Sequence, residues 1–294
     1  MTRAIFAGLS TIDIVYRIDS FPAANTKIAA SSQDLYIGGP ATNAAIAFAH
    51  LGGAASLVTA VGSHPLAAVI REELLKFSIQ LVDLNPAFDG APALSSVSVD
   101  RDGHRNVVSA NAVRVAVPPA KVDRKLLQEA RILLVDGHFM QAAQAWATAA
   151  HERGIPVVLD GGSWKAGTDE LLQSVDTAIC SADFRPPGCS TAEDTIQFLR
   201  NRGLQKIAIT HGADPIRSLE GDSSGTIPVP RVPTVDTMGA GDILHGAYCF
   251  FTASGRGFAA ALGEAAKIAS ESCRWAGTRE WMKHQPAIDT RRIP

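Results

Sequence analysis

Short runs of aliphatic and β-branched residues alternate with helical patterns along most of this chain of 294 residues. Six such runs, mostly ending in Gly or Asp, are RAIFAGL, SLVTAVG, RILLVDG, PVVLDG, DTAICSA and KIAITHG. Four stretches of helical length accompany them, and most close on Gly, a common end of a helix: PATNAAIAFAHLG, HPLAAVIREELLKF, MQAAQAWATAAHERG and TAEDTIQFLRNRG. This β-α repeat predicts an α/β fold built on a parallel sheet.

Two segments interrupt the repeat. Residues 26–39 and 93–111 alternate apolar and polar residues with no helical stretch between the strands. The second segment places Asp102 and Gly103 where a hairpin would turn. The two segments therefore predict a small β-sheet outside the main one. A third segment, residues 219–235, is rich in turn-forming residues and predicts a connection before the next helix.

The charge balance and the cysteine content limit the classes of function. Lys and Arg number 27 and Asp and Glu number 29, which gives a net charge of −2 with no long block of either sign. A nucleic-acid partner is therefore not expected. The four cysteines lack C-x-x-C spacing and suit reduced thiols, so we expect a cytoplasmic location. No stretch approaches the roughly 18 uninterrupted apolar residues of a membrane span, so no membrane partner is expected either.

The segment DTMGAGDILHGAYCFF, residues 236–251, holds the most informative pattern. Its apolar residues recur at helical spacing, which predicts a helix with one apolar face: Ile243, Leu244, Ala247, Tyr248 and Phe251. The helix would begin at Gly239-Ala240-Gly241-Asp242, where small residues let unpaired backbone N–H groups approach a phosphate. Asp242, ionised at neutral pH, would accept a proton from an attacking hydroxyl. A plain glycine turn with a capping Asp242 explains the tetrapeptide equally well.

Motifs of several other enzyme classes are missing. No G-x-x-x-x-G-K-[ST] occurs, and GAGDILHG spaces its third glycine wrongly for a dinucleotide fingerprint. The eight histidines show no H-E-x-x-H or other paired-ligand spacing. A P-loop enzyme, a Rossmann dehydrogenase and a tightly held transition metal are therefore not indicated.

Four motifs together resemble those of the PfkB family of carbohydrate kinases, which have the ribokinase-like fold. DTMGAGD looks like the family's C-terminal D-T-x-G-A-G-D motif, and Gly38 to Gly52 resembles its N-terminal G-G-x-x-x-N-x-A motif. GLSTID, residues 8–13, resembles its first strand, which ends in a substrate-facing Asp. Thr210 to Gly212 resembles its T-x-G turn at the nucleotide site. The motifs follow the family's order from residue 8 to residue 242.

The resemblance implies a fold, an activity and an assembly. It implies a three-layer α/β/α core with a mainly parallel sheet over residues 1–12, 38–90 and 113–294, and a β-strand lid over residues 13–37 and 91–112. It implies transfer of the γ-phosphoryl group of ATP, with Mg2+, to a hydroxyl of a small monosaccharide inside a lid-closed site. A homodimer formed through the lid is one expected assembly.

The resemblance also assigns roles to individual residues. Asp242 would be the catalytic base, and the backbone of Gly239, Ala240 and Gly241 would complete an anion hole with it. The substrate-binding residues would be Asp13, Gly38, Gly39 and Asn43, and the nucleotide-binding residues would be Thr210, Gly212 and Thr237.

Several of these side chains also have ordinary structural explanations. Asp13 would serve as a turn cap after a strand, and Asn43 as a cap or solvent-facing residue early in an Ala-rich helix. Arg105, Asn111 and Arg114 lie near the second lid segment, where contact with sugar or phosphate competes with ordinary solvent exposure. The family context favours binding for Asp13 and Asn43.

One departure from the family concerns the metal. Many members carry N-x-x-E before the nucleotide strand, where the Glu orders water around Mg2+, whereas this chain has SADF at residues 181–184. Asp183 would serve the same solvent network from a shifted position, because Mg2+ is usually held through waters and substrate phosphates. The metal-binding residues therefore stay open. The S-x-D variant, SSVSVDRDGHR and VVLDGG look more like the ketohexokinase and sulfofructose kinase branch than ribokinase proper.

Two other functions compete with a sugar kinase. One is a nucleoside kinase of the adenosine or pseudouridine type, and the other is a catalytically silent sugar-binding regulator. Asp242 argues against the regulator, because a protein that only binds needs no base. Aromatic residues make up 6% of the chain and residues 93–111 contain none, which favours a ketose-like sugar or derivative over a stacked nucleobase.

Overall fold

A nine-stranded sheet with helices on both faces forms most of the molecule in a computed structural model, which describes residues 2–110, 112, 115–119 and 121–288. The described strands are β1 (Arg3–Ala7), β2 (Thr11–Arg17), β3 (Ser32–Gly38), β4 (Ala54–Thr59), β5 (Gln80–Asp83), β6 (Ala93–Val99), β7 (Arg105–Ser109), β8 (Ile132–Val135), β9 (Val157–Gly161), β10 (Thr177–Ser181), β11 (Lys206–His211), β12 (Asp214–Glu220) and β13 (Ser223–Ile227). The described α-helices are α1 (Pro40–His50), α2 (Ala67–Lys76), α3 (Arg124–Glu129), α4 (Met140–His151), α5 (Thr168–Leu171), α6 (Ala192–Arg200), α7 (Ala240–Ala253) and α8 (Phe258–Ser272).

The strand order of the large sheet is β13-β12-β11-β10-β9-β8-β1-β4-β5. All pairs from β11 to β5 are parallel, and β12 and β13 add an antiparallel hairpin at one edge. The six apolar runs of the sequence form β1, β4, β8, β9, β10 and β11, as predicted. Since parallel strands end at the same edge, the loops that follow them gather on one side of the molecule.

Helices cover both faces of the sheet, which confirms the three-layer prediction. Ala4 and Phe6 of β1 pack toward α1, α2, α7 and α8, whereas Ile5 and Ala7 pack toward α3, α4, α5 and α6. The alternation follows from the two-residue period of a strand. Because both faces are covered, the central strands are buried throughout and show no polar side in the sequence.

Helix α7 is more deeply buried than the predicted single apolar face. Every residue from Ile243 to Phe251 is buried, because the helix packs against the sheet, α1 and α8 together. A Cβ added to Gly246 would lie 2.3 Å from the carbonyl oxygen of Ala44, so the backbones of α1 and α7 touch at this point. This contact brings the N-terminal turns of the two helices close together.

A second sheet, with strand order β3-β2-β6-β7, lies apart from the first. Its β6–β7 turn falls at Asp102 and Gly103 as predicted, with Gly103 at φ +83° and the Asp100 carboxylate accepting from the Asp102 and His104 N–H groups. The strand predicted over residues 26–39 forms only from Ser32, because residues 19–30 are largely exposed and pair with no described strand. The division of the chain into core and lid remains a prediction.

The antiparallel hairpin of β12 and β13 corrects the prediction of a plain connection over residues 219–235. Gly221, at φ +61°, makes the turn between the two strands. The hairpin lies at the edge of the sheet, where only Ile216, Leu219 and Ile227 are buried, so its sequence carries little apolar signal.

Among the described helices, none is both long and apolar enough to cross a bilayer.

Candidate active site

The candidate site lies where the loops after the parallel strands meet the N-terminal turns of α1 and α7. Asp136, which follows β8, organises this edge, because its buried carboxylate accepts from the N–H groups of Leu9 at 2.8 Å and Ala41 at 3.2 Å. Gly39, at φ +95°, lies so close to the Leu9 carbonyl that an added Cβ would be 2.3 Å from its oxygen. Only glycine allows α1 to start at this distance from the end of β1.

The segment Gly239–Asp242, here called the anion loop, forms the first turn of α7. Gly239 adopts a left-handed conformation at φ +69°, and no side chain caps this end of the helix. A Cβ built on Gly241 would meet no atom within 4 Å, so the loop faces open space at that point. The uncapped N–H groups and the positive end of the helix dipole suit an anion.

A cavity of about 470 Å³ lies in front of the anion loop. Five residues assigned from the sequence line it: Thr210, Gly212, Thr237, Ala240 and Gly241. Its remaining wall is largely apolar and includes Ile216, Val229, Leu244, Ala266 and Ala269. The cavity therefore joins an anion-binding end to an apolar end, as a nucleotide requires.

Asn43 and Asp242 meet beside the anion loop, close to Arg279 and Asp13; this region is here called the substrate side, because the sequence assigns Asp13 and Asn43 to substrate binding. The Nδ2 of Asn43 donates to Oδ2 of Asp242 at 2.7 Å, and Asn43 is buried instead of facing solvent. The Oδ1 of Asn43 accepts from Nη1 of Arg279 at 3.0 Å. Because the guanidinium only donates, it fixes the amide so that its NH2 group points to the carboxylate.

Sequence reasoning missed Arg279, which follows α8 and carries no motif. Its partly buried guanidinium also donates to the Ile37 carbonyl at 2.6 Å and pairs with Glu73 of α2 at 3.2 Å. The side chain therefore joins β3, α1 and α2 around the substrate side of the site. No local signal could have found it, since a lone Arg near the C-terminus is ordinary in any sequence.

Asp13 lies in the second sheet and not at the end of the first strand. β1 ends at Ala7, and Asp13 is the third residue of β2, where its Oδ1 accepts from Thr11 Oγ1 at 2.9 Å. A Cβ on Gly38 would lie 2.0 Å from Asp13 Oδ2, which explains the glycine opposite it. Burial raises the pKa of Asp13, against hydrogen bonds from Thr11 and Ser95 and the charge of Arg279.

The charge environment of Asp242 differs from that of a surface carboxylate. Burial, together with the nearby Asp160, raises the pKa of Asp242 to about 7, while the Asn43 hydrogen bond and His245 act in the opposite direction. A carboxyl group with a pKa close to neutrality can both accept and release a proton, which is the property that a general base needs.

The residues available for a metal are few. Asp183 lies exposed after β10, and its N–H donates to Ser181 Oγ at 3.1 Å. Within the described part of the chain, the one cluster of three acidic or His groups with metal-like spacing is Asp100, Asp102 and His104 at the β6–β7 turn. Among the described residues, no such cluster lies at the anion loop.

Two cations of the second sheet reach the segment before the anion loop. Arg105 donates to the Thr237 hydroxyl, and Arg17 lies 3.8 Å from the Asp236 carboxylate. Asn111 and Arg114, considered together with Arg105 in the sequence, lie outside the described residues. The second sheet thus contacts the segment that leads into α7.

Comparison with known proteins agrees with this geometry. Residues 1–285 match the family model described as pfkB family carbohydrate kinase. The ATP-dependent ribose-1-phosphate kinase of Halopiger xanaduensis is 29% identical over 245 residues, 82% of each chain. The aminoimidazole riboside kinase of Salmonella typhimurium is 26% identical over 249 residues, 77% of this chain and 78% of that protein. The crystal structure of ribokinase from Thermotoga maritima gives a TM-score of 0.82 at 19% identity, covers 98% of this chain and 97% of that one, and shows the same ribokinase-like fold.

Proposed function

The chain belongs to the PfkB family of carbohydrate kinases, and we propose that it transfers the γ-phosphoryl group of ATP to a hydroxyl of a small monosaccharide or close derivative. Family membership makes it a phosphotransferase with an alcohol group as acceptor. The observation that carries the proposal is the hydrogen bond between Asn43 and Asp242. This bond joins the carboxylate at the end of the anion loop to Asn43, a residue assigned to substrate binding, and so supports a base beside both ligands.

The cavity beside the anion loop would hold ATP. Its apolar wall suits the nucleobase, and the loop at its other end suits the phosphates. Thr210, Gly212 and Thr237 would line the nucleotide, as the motif resemblance implies. Gly212 has φ +56° and nothing within 4 Å of an added Cβ, so the chain leaves space for a ligand there.

Asp242 would act as the base in a single in-line step. The acceptor hydroxyl gives its proton to the carboxylate, its oxygen forms a bond to the γ-phosphorus, and the bond from that phosphorus to the bridging oxygen breaks to release ADP. The N–H groups of the anion loop would stabilise the charge on the transferred group. Asp13, Asn43 and the backbone of Gly38 and Gly39 would hold the other hydroxyls.

Mg2+ would be held by the ATP phosphates and by water, with Asp183 as the carboxylate that the sequence offers for its solvent network, and would neutralise phosphate charge. We place the reaction in the cytoplasm, since all four cysteines are free thiols. A homodimer would form through the second sheet, whose two edge strands carry exposed apolar residues, Leu35 on β3 and Val107 and Val108 on β7. Sedimentation of the protein and of Val108→Glu would test this assembly.

The substrate class rests on the polar character of the substrate side. Asp13, Asn43 and Arg279 supply charged and amide groups there, and the second sheet supplies Tyr16 and Tyr36 as its aromatic residues within its described strands. A nucleoside acceptor remains the competing hypothesis, because one relative is an aminoimidazole riboside kinase. A ketose-like acceptor and ribose 1-phosphate are the two sugar candidates.

A coupled ADP-release assay tests the proposal. Ribose, ribose 1-phosphate, ketohexoses, adenosine and pseudouridine are compared by kcat/KM, with Asp242→Asn as a control for contaminating kinases. We expect one of the sugars to give the highest value. A nucleoside preferred about tenfold or more over every sugar would overturn the sugar assignment, and no turnover of any acceptor would favour the silent sugar-binding regulator.

A further inference from the structure

His245 lies on α7, one turn after the anion loop, in an unusual hydrogen-bonding position. The side chain is buried, with 5% of the residue exposed. Its Nδ1 is 2.7 Å from the carbonyl oxygen of Gly241, and its Nε2 is 3.0 Å from the carbonyl oxygen of Ile179 on β10. The ring therefore bridges the anion loop and the central part of the large sheet.

Both partners of this ring are carbonyl oxygens, which can only accept. A neutral imidazole has one N–H, so its other nitrogen would direct a lone pair at a carbonyl oxygen. That arrangement is repulsive, and the ring is too deeply buried for bulk water to relieve it. Protonation of both nitrogens makes both contacts favourable, and it places a positive charge one turn after the anion loop.

Asp160, the fourth residue of β9, lies beside the ring as a counter-ion. Its Oδ2 is 3.6 Å from His245 Nδ1, and this buried oxygen has no hydrogen-bond partner among the described residues. Burial raises the pKa of Asp160, and the charge of His245 opposes this rise. The other titratable groups around the pair are Asp136 and His138 after β8, Lys165 after β9, Cys180 on β10, and Asp242 and Cys249 on α7.

We propose that His245 is a buried imidazolium, paired with Asp160, that ties the anion loop to β10. It is a positioning residue, because it holds the Gly241 carbonyl while the N–H groups of the loop face the cavity. His245 also lines the cavity in front of the anion loop, so its charge would offset part of the negative charge of bound phosphates. The effect on catalysis rests on the proposed kinase function, whereas the protonation state does not.

The protonation state is tested directly by NMR of nitrogen-15-labelled histidine in the full chain. The spectra are recorded at mildly alkaline pH, where exposed histidines with a pKa of about 6.5 are neutral. We expect one of the eight histidines to carry protons on both ring nitrogens, and this signal to disappear in His245→Asn. A neutral, singly protonated His245 would overturn the inference. If His245→Asn does not fold, wild-type spectra that show no doubly protonated histidine would likewise overturn the inference.

Two further variants test the counter-ion and the positioning role. In Asp160→Asn the imidazolium signal should revert to a neutral ring, and a signal that persists would exclude Asp160 as counter-ion. In His245→Phe, kcat should fall about tenfold or more while the acceptor KM stays within a few fold, because two charge-assisted hydrogen bonds are lost. His151→Phe, an exposed substitution on α4, is the matched control. An unchanged kcat in His245→Phe would remove the positioning role.

These readouts separate the inference from the proposed function. A doubly protonated His245 in a protein that phosphorylates no sugar or nucleoside would leave the imidazolium intact and reject the kinase proposal. A neutral His245 in an active kinase would reject the imidazolium and leave the kinase proposal intact.

Discussion

Asn43 of α1 donates a 2.7 Å hydrogen bond to Asp242 of α7, although the two residues lie 199 positions apart in the chain. The bond connects the N-terminal motif, assigned to the substrate, with the C-terminal motif, assigned to phosphate. It exists because Ala44 and Gly246 let the two helices touch. The close packing of Ala44 against Gly246 would therefore determine where the acceptor hydroxyl and the transferred phosphoryl group meet.

Asp242→Asn is expected to remove turnover. The amide cannot accept the proton of the acceptor hydroxyl, and loss of a general base costs about 10²-fold to 10⁴-fold in rate. Binding of ATP should stay within a few fold, since the base acts in the transition state. Coupled ADP release and calorimetric titration measure the two effects, with the exposed Asp222→Asn as control. A near wild-type rate would exclude Asp242 as the base.

The same variant should be more stable than the wild type above neutral pH. Because the pKa of Asp242 is raised to about 7, the folded protein keeps this proton between about pH 4 and pH 7, where the unfolded chain loses it. Stability contributed by the protonated carboxyl is therefore lost as the pH rises through this range. Asn does not ionise, so Tm should exceed the wild-type value by roughly 2 °C or more above pH 7 and converge with it toward pH 4. A Tm difference between variant and wild type that stays the same from pH 4 to above pH 7 would contradict this prediction.

Asn43→Ala should move the pH dependence of kcat/KM. In the wild type the rate should rise with pH through about 7 as Asp242 loses its proton. The Asn43 hydrogen bond stabilises the ionised form, so its removal should shift this limb upward by about one pH unit. Pre-steady-state or steady-state pH profiles with one acceptor measure the shift. A limb that stays in place would mean that another group controls it.

The two glycines of the anion loop should respond differently to alanine. Gly239→Ala places a Cβ 2.8 Å from Thr278 Cγ2 at φ +69°, so it should destabilise the protein by about 1–2 kcal/mol or more. Gly241→Ala meets no atom within 4 Å and removes a helical glycine, so stability should hold or rise by up to about 1 kcal/mol. Its methyl group would enter the cavity, and kcat/KM for ATP should fall about tenfold. Full activity of Gly241→Ala would remove the anion-hole assignment.

Arg279→Met should damage the site through Asn43. The variant removes one of the two cationic partners of the partly buried Glu73, which keeps Lys76 at 3.2 Å, and this should cost about 1–3 kcal/mol. Adding Glu73→Gln should recover much of that stability while kcat remains about tenfold low, because nothing then orients the Asn43 amide. The matched control is Arg274→Met with Glu271→Gln, an exposed pair worth about 1 kcal/mol or less. A double variant that regains wild-type kcat would show that Arg279 is only structural.

The parallel core was predictable because its strands are buried on both faces. Such strands appear as unbroken apolar runs, and RILLVDG gives β8 followed by Asp136 without ambiguity. The β12–β13 hairpin was missed because an exposed edge needs few apolar residues. The extent of β3 was overestimated for a related reason, since alternation predicts a strand only where a partner strand is available.

The motif residues were predictable, but their supporting residues were not. Thr210, Gly212 and Gly241 line one cavity because the loops after parallel strands share an edge. Arg279, Asp160 and His245 act through partners that are distant in the chain, and no spacing rule records those contacts. His245 even lies within the most informative segment, yet its role depends on the carbonyl of Ile179, 66 residues away.

The central position of β1 has a consequence for synthesis of the chain. β1 pairs with β4 on one side and with β8 on the other, so its second edge stays unpaired until residues 132–135 have left the ribosome. An apolar strand with an open edge is a template for pairing with other chains. The first half of the protein therefore exposes an open strand edge during synthesis, and its core is complete only when α7, late in the chain, packs against α1.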